Sequence, residues 1–275
     1  MPKYKVSREA AKQKQTELIA KLETGVKDLR GSEQYKAFLD SASKFHAYSF
    51  GNIMLINLQY PSASRVAGYR AWQALGRQVR KGEKGIAIMA PRPFKDHADG
   101  CARGRCECPQ AGVGFTSVSV FDVSQTEGDD LPSVTSDLAG DDAGLWTGLT
   151  EIATAENLEI DTTPDHAHGG AHGYYAPKDK RIWVDMSRPP AHLAATLTHE
   201  LAHYFTHDDK PCRDEGEIVA ESVAYVVLGH FGIDAGAFSF GYLASWDTDD
   251  DKHFKAQLGQ IQKTAATIID KLEAA

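Results

Sequence analysis

Thr198-His199-Glu200-Leu201-Ala202-His203 places two histidines four residues apart, within a stretch whose apolar periodicity predicts a helix over 191–205. At that spacing both imidazoles project from one face and can share a cation, with Glu200 beside them. Zinc held in this way needs at least a third protein ligand and an open position for water, whose pKa falls toward neutrality so that a carboxylate can take its proton. Glu200 is the general base that the pattern predicts. A histidine pair packed in a helical core would show the same spacing, so the third ligand has to be found elsewhere.

Glu217-Ile218-Val219-Ala220-Glu221 begins fourteen residues after His203, on a second predicted helix over 215–229. Its two carboxylates share a face. Val219, Ala220, Val223, Ala224, Val226 and Val227 make this helix largely apolar, where unpaired acids are costly. The spacing fits a gluzincin, with Glu217 as the third ligand and Glu221, one turn on, orienting a ligand histidine from behind. His207 follows His203 by four, but a metzincin would place its third histidine where Asp209 stands, so that pattern fails and His207 reads as a residue of the helix C-terminus.

Upstream, Tyr174-Tyr175 and Arg181–Met186 read as two short strands around the turn 177–180. The second is expected to be an edge strand able to pair with an extended peptide. Tyr174 or Tyr175 is a candidate donor to an oxyanion, beside the plainer reading of aromatic core residues. His166, His168 and His172 read as residues of a Gly/His-rich turn.

The net charge of −8 hides an asymmetry: residues 1–128 hold 20 Lys+Arg against 12 Asp+Glu, and residues 129–275 hold 10 against 26. A basic half joined to an acidic half suits a chain that meets nucleic acid at one end. Residues 60–105 concentrate ten Lys+Arg against three acids, interleaved with Tyr60, Tyr69, Trp72 and Phe94. Cations at Arg65, Arg70, Arg77, Arg80, Lys81 and Lys84 would meet phosphates, and rings such as Trp72 would stack unpaired bases, which predicts single-stranded DNA as the partner. Trp72 and Tyr69 as core residues are the alternative.

The pattern predicts helices over about 7–29, 32–44, 52–59, 68–76 (ended by its glycine), 145–155 and 254–274, and a hairpin of strands 85–90 and 115–121 whose long loop carries cysteines. His97, Cys101, Cys106 and Cys108 offer a second, structural Zn2+ site of non-standard spacing, or free thiols in a flexible insertion. Four cysteines so placed do not form a disulfide framework, and no apolar run reaches membrane-spanning length, so a soluble cytoplasmic chain with no membrane partner is expected. The fold class read from the sequence is α+β. It comprises a basic helical and hairpin domain over 1–128, an acidic linker over 129–144 and a zincin-like metallopeptidase domain over 145–275.

Taken together these segments resemble the ArdC-like family of antirestriction and related proteins. In the first half the resemblance rests on Tyr48-Ser-Phe-Gly-Asn-Ile-Met-Leu-Ile56, Gly68-Tyr-Arg-Ala-Trp72, Gly76-Arg-Gln-Val-Arg-Lys-Gly-Glu-Lys-Gly85 and Val120-Phe-Asp-Val-Ser-Gln-Thr126. In the second it rests on Gly173-Tyr-Tyr175, Arg181-Ile182 and the two metal-site segments above. It implies an N-terminal domain that binds single-stranded DNA, protection of incoming DNA from restriction, and a zinc-peptidase fold like that of ImmA/IrrE proteins. The cysteine loop departs from the family pattern. Three functions are therefore expected to compete: a DNA-associated zinc metallopeptidase of unknown protein or peptide substrate, a pure single-strand-binding antirestriction protein whose metal is structural, and an ImmA-like protease acting on a repressor.

Overall fold

The computed structural model describes residues 8–29, 32–95, 110–129, 142, 144–164, 172–206, 214–233 and 251–274. Along the first half come α1 (Arg8–Asp28), α2 (Ser32–Lys44), α3 (Phe50–Gln59), β1 (Val66–Gly68), α4 (Tyr69–Ala74), β2 (Arg77–Val79), β3 (Ile86–Lys95), β4 (Gln110–Asp122) and β5 (Thr126–Gly128). The second half holds α5 (Leu145–Ala155), β6 (Glu159–Asp161), β7 (Gly173–Ala176), β8 (Arg181–Val184), α6 (Pro190–Phe205), α7 (Asp214–His230) and α8 (Asp251–Ala274). The class is α+β. No described helix is long and apolar enough to cross a membrane.

The chain clusters into two compact units, residues 1–25 with 54–130 and residues 26–53 with 131–275. In the first unit β3 and β4 form the expected hairpin, paired from Ile86↔Val120 to Lys95↔Gln110, and β1 lies antiparallel along the other edge of β4. Trp72 is fully buried here, its indole N–H donating to the Phe121 carbonyl at 2.9 Å. Glycine at 76 ends α4 with φ +73°, a conformation that L side chains avoid, and a Cβ there would run into the Asp129 carboxylate. Asp122 organises the segment after β4. Its carboxylate caps the turn Val123–Gln125 by accepting from the Ser124 N–H at 2.9 Å, while its second oxygen accepts from the N–H groups of Ser64 and Arg65 at 2.8 and 3.0 Å. The backbone N–H of Asp122 in turn donates to the Gln125 side chain at 2.9 Å, completing a capping box.

In the second unit α6 and α7 carry the core, with Leu197, Leu201, Val223, Ala224 and Val227 all fully buried. The sheet runs β6-β8-β7, parallel between β6 and β8 and antiparallel between β8 and β7. The strand expected at an edge, β8, is therefore the central one. Its run Ile182-Trp183-Val184 is buried on both faces, as an inner strand must be, and the edge nearest α6 belongs to β7.

Residues 26–53 also differ from the sequence-based division after Gly128, because they pack with the C-terminal half. Tyr35, Phe38 and Leu39 of α2 are fully buried, the Tyr35 hydroxyl lies 2.7 Å from Ser222 Oγ, and the Tyr225 hydroxyl donates to Asp40 at 2.6 Å. Charge composition reports a stretch's solvent face. It does not say which partner the apolar face will meet.

Candidate metal centre

Helix α6 starts with Pro190 at its first position, where a missing N–H costs nothing. It buries Leu193, Ala194, Leu197, Leu201 and Ala202 along one side. His199 and His203 fall on the adjoining stripe, with side chains 18% and 14% exposed. The first turn of α7 brings Glu217 to them, so that its two oxygens lie 3.2 Å from His199 Nε2 and 3.4 Å from His203 Nε2, while the two Nε2 atoms are 3.0 Å apart.

These three separations can be compared with a tetrahedral zinc ion. With metal–ligand bonds of about 2.0–2.1 Å, neighbouring ligand atoms sit about 3.3 Å apart. The triangle formed by the two imidazoles and the carboxylate fits. Hydrogen bonding with His199 and then His203 also holds the Glu217 carboxyl far below the ordinary carboxylate range, outweighing its partial burial. Glu217 is thus an anion facing two nitrogen ligands, and its 38% exposure leaves one side of the triangle open.

Glu200, 7% exposed, lies close enough to His199, His203 and Glu217 to feel all three. Burial raises its pKa; the nearby His199 and His203 pull the other way, Glu217 pushes up again, and the Tyr175 backbone N–H donates to the carboxylate. That donor fixes how β7 meets α6. His172 accepts from the Asp185 N–H at 2.9 Å, so by the alternation of an antiparallel ladder Tyr174 and Ala176 also bond to β8, whereas Gly173 and Tyr175 direct their N–H and C=O groups to the outer edge. Gly173 permits the approach: a Cβ there would stand 2.4 Å from Thr196 Cγ2, 3.0 Å from the Trp183 carbonyl and 3.4 Å from Glu200.

The two tyrosines separate accordingly. Tyr175 shares the α6-facing side of the sheet with Gly173 and meets Tyr204 edge to face at 5.9 Å. Tyr174 points to the opposite face and stacks on Trp183 at 5.7 Å, so it does not reach the centre as the sequence reading allowed. Glu221 lies close enough to His199 and Glu217 to feel both, with burial the main force raising its pKa. Two supports were not anticipated: Gly173 as the contact point, and Tyr204, whose hydroxyl donates to Glu156 at 3.0 Å while Glu156 pairs with Lys271 at 2.8 Å. A glycine opening a strand shortly before the histidine helix was the available signal for the first.

In the first unit the expected DNA-contacting residues divide. Trp72 is core and offers no face to a base, a correction that follows from its full burial. Arg77 is tied to β5 through Thr126 Oγ1 at 2.8 Å and the carbonyls of Gly128 and Asp129. Arg80 pairs with Glu83 at 2.9 Å and donates to the Ser124 and Thr126 carbonyls. Arg70, Lys81 and Lys84 are exposed, and Arg65 is half-buried. Tyr69 and Phe115 expose their rings, 44% and 57% respectively. His97, Cys101, Cys106 and Cys108, like His166, His168 and His207, lie outside the described residues.

Residues 8–120 match the N-terminal domain of anti-restriction factor ArdC. Among curated proteins the chain is similar to the uncharacterized protein pXO2-81/BXB0111/GBAA_pXO2_0111 of Bacillus anthracis, 22% identical across 97% of this chain and 52% of the relative. It is also similar to the uncharacterized protein y4eC of Sinorhizobium fredii, 27% identical across 68% of this chain and 62% of the relative. The chain thus spans between about half and two thirds of the length of these relatives. Among solved structures it resembles the antirestriction protein ArdC from plasmid R388. The metal-free form aligns with a TM-score of 0.52 over 81% of this chain and 83% of that one, at 20% identity. The Mn(II)-bound form aligns with a TM-score of 0.56 over 92% and 97%, also at 20% identity. At that identity the likeness speaks for the fold.

Proposed function

The chain is an ArdC-like protein, and from that premise we propose that it is a DNA-associated, divalent-metal-dependent peptidase of gluzincin type. The observation that carries the reading is the convergence of His199, His203 and Glu217 within 3.4 Å of one another, with Glu200 buried alongside. Two imidazoles and a carboxylate accept Zn2+ and also Mn2+, the ion held by the R388 relative. A cation in this triangle supplies Lewis acidity, which polarises a carbonyl and makes a water easier to deprotonate.

The chain's own groups then have defined tasks. Glu200, kept from solvent and anchored by the Tyr175 N–H, takes the proton from water and returns it to the leaving amine. Glu221 biases the His199 ring through its charge. The outer edge of β7 offers Gly173 N–H and C=O to an extended peptide, a role the sequence reading gave to β8. Tyr175, on the α6-facing side, is the remaining tyrosine candidate for an oxyanion donor.

The first unit would meet single-stranded DNA through Arg70, Lys81 and Lys84, with Tyr69 and Phe115 as stacking surfaces. A cleft between α1 and β3 places Lys14, Lys21, Tyr60 and Lys84 together with Glu17 and Glu83, so its lining is mixed in charge with three cations against two acids. The test of the peptidase reading is cleavage of unfolded casein by the Zn2+- or Mn2+-loaded full chain, compared with Glu200→Gln. The expected result is cleavage by the wild-type chain and a loss of about a hundredfold or more in the variant, with metal retained. Equal cleavage by both proteins would contradict the assignment.

A further inference from the structure

At the far end of α7 from Glu217, thirteen residues and so about 20 Å along the helix axis, a second group of metal-ligating side chains converges. His230 ends α7. Its Nδ1 lies 2.8 Å from the Ser43 carbonyl, which can only accept, so Nδ1 carries a hydrogen and Nε2 of the neutral ring presents a lone pair. That lone pair faces Glu273 Oε1 of α8 at 3.0 Å. Two acceptors at that distance require a positive species, either a second proton on the ring or a metal ion.

His46, in the connection between α2 and α3, distinguishes these choices. Its ring stands edge-on to that of His230 with centroids 4.5 Å apart. Its Nε2 points toward Asp270 Oδ1 at 3.7 Å and Glu273 Oε2 at 3.9 Å, beyond hydrogen-bond reach, and its buried Nδ1 has no partner among the described residues. The side chain is only 15% exposed. A ligand on Nε2 would occupy the nitrogen that faces both carboxylates from just outside hydrogen-bond reach, while Nδ1 would carry the ring hydrogen. A proton on His230 alone would answer its contact with Glu273 but leave His46 Nε2 3.7 and 3.9 Å from the two carboxylates, and protonating both rings would set two imidazolium ions face to edge at 4.5 Å. One divalent cation satisfies two neutral imidazoles and the carboxylate together, and the exposed Asp270 and Glu273 leave it a route from solvent.

We propose that His46, His230 and Glu273, with Asp270 at the rim, form a second divalent-cation site of the zinc class that staples the α2–α3 connection to the ends of α7 and α8. The ion sits at the C-terminus of α7, where backbone carbonyls favour positive charge. It is independent of the peptidase reading, since none of its ligands belongs to the first centre. The tautomer of His230 is set in advance by the Ser43 carbonyl, as outer-shell acceptors do for metal-bound histidines.

The experiment uses the full chain carrying His199→Ala, His203→Ala, Cys101→Ser, Cys106→Ser and Cys108→Ser, so that neither the first centre nor the loop thiols hold metal. Equilibrium dialysis against Zn2+ alone should retain one equivalent, and Zn2+ at a hundredfold excess over its Kd should raise Tm by roughly 5 °C. Adding His230→Ala should weaken binding by at least about tenfold and abolish the Tm response. Glu273→Gln, at a half-exposed position, supplies the same reading if His230→Ala fails to fold. Absence of zinc binding in the background chain, or binding untouched by both substitutions, would overturn the site and leave an ion-pair clamp.

Discussion

Nε2 of His199 and Nε2 of His203 lie 3.0 Å apart, a distance at which two imidazole nitrogens need a proton or a metal ion between them. The Glu217 carboxylate, 3.2 and 3.4 Å from the same two atoms, supplies the negative charge that makes a divalent ion the better occupant. Replacing His199, His203 or Glu217 by alanine is therefore expected to weaken Zn2+ binding on the order of a hundredfold or more, since each removes a ligand and not merely its support. Glu200→Gln, which leaves the triangle intact, should change it little. Competition with a chromophoric chelator measures all four.

Gly173 tests the packing of β7 on α6. Alanine there would place its Cβ 2.4 Å from Thr196 Cγ2 and 3.0 Å from the Trp183 carbonyl, and the carbonyl cannot yield. Gly173→Ala should destabilise the protein by about 1–3 kcal/mol. The urea midpoint reports this, and the double variant with Thr196→Ser, which removes the methyl group, should recover part of the loss.

Several parts of this arrangement were readable in advance. The four-residue spacing of Leu193, Leu197 and Leu201, close to the helical repeat, predicts a helix over 191–205, and α6 is Pro190–Phe205. The juxtaposition of His199 and His203 was legible because a four-residue spacing on a helix fixes geometry before any tertiary contact forms, whereas Glu217 reaches them only through the packing of α7 on α6. Strands of three residues, such as β1, β2, β5 and β6, were not legible: no period is measurable over that length, and they exist only through their partners. The central place of β8 was encoded in its unbroken Ile182-Trp183-Val184 run, a signal that alternation-based reading passes over. Trp72 looked like a stacking ring because it lies among cations, but sequence neighbours share no face on a helix, and its indole faces inward to the Phe121 carbonyl.

Asp122 provides a pH test. Burial pushes its carboxyl up, but the Ser124 hydroxyl and the N–H groups of Ser64, Ser124 and Arg65 together bring it below the ordinary aspartate value. A carboxyl depressed in the folded state adds stability that is fully present above its unfolded pKa of about 3.9 and is lost as pH falls through the lower folded value. Urea midpoints should therefore decline below about pH 4 in the wild type and decline less in Asp122→Asn. At neutral pH Asp122→Ala should cost about 2–4 kcal/mol through the lost cap and the unsatisfied N–H groups.

The basic residues of the first unit should fall into two classes. Alanine at Arg70, Lys81 or Lys84 is expected to weaken binding of fluorescent single-stranded DNA and to reduce the slope of log K against log salt by about 0.7 each, with stability unchanged. Alanine at Arg77 or Arg80 should instead lower the urea midpoint, because those guanidinium groups hold backbone carbonyls of residues 124–129. Anisotropy titrations across a salt series separate the two.

Crystals of the full chain grown with Zn2+, with data collected on both sides of the zinc absorption edge, address the metal centre itself. An anomalous peak within about 2.2 Å of Nε2 of His199, Nε2 of His203 and a Glu217 oxygen is the expected result. A fully loaded crystal with no peak in that triangle, or with Glu217 turned away and the ion held elsewhere, would contradict it.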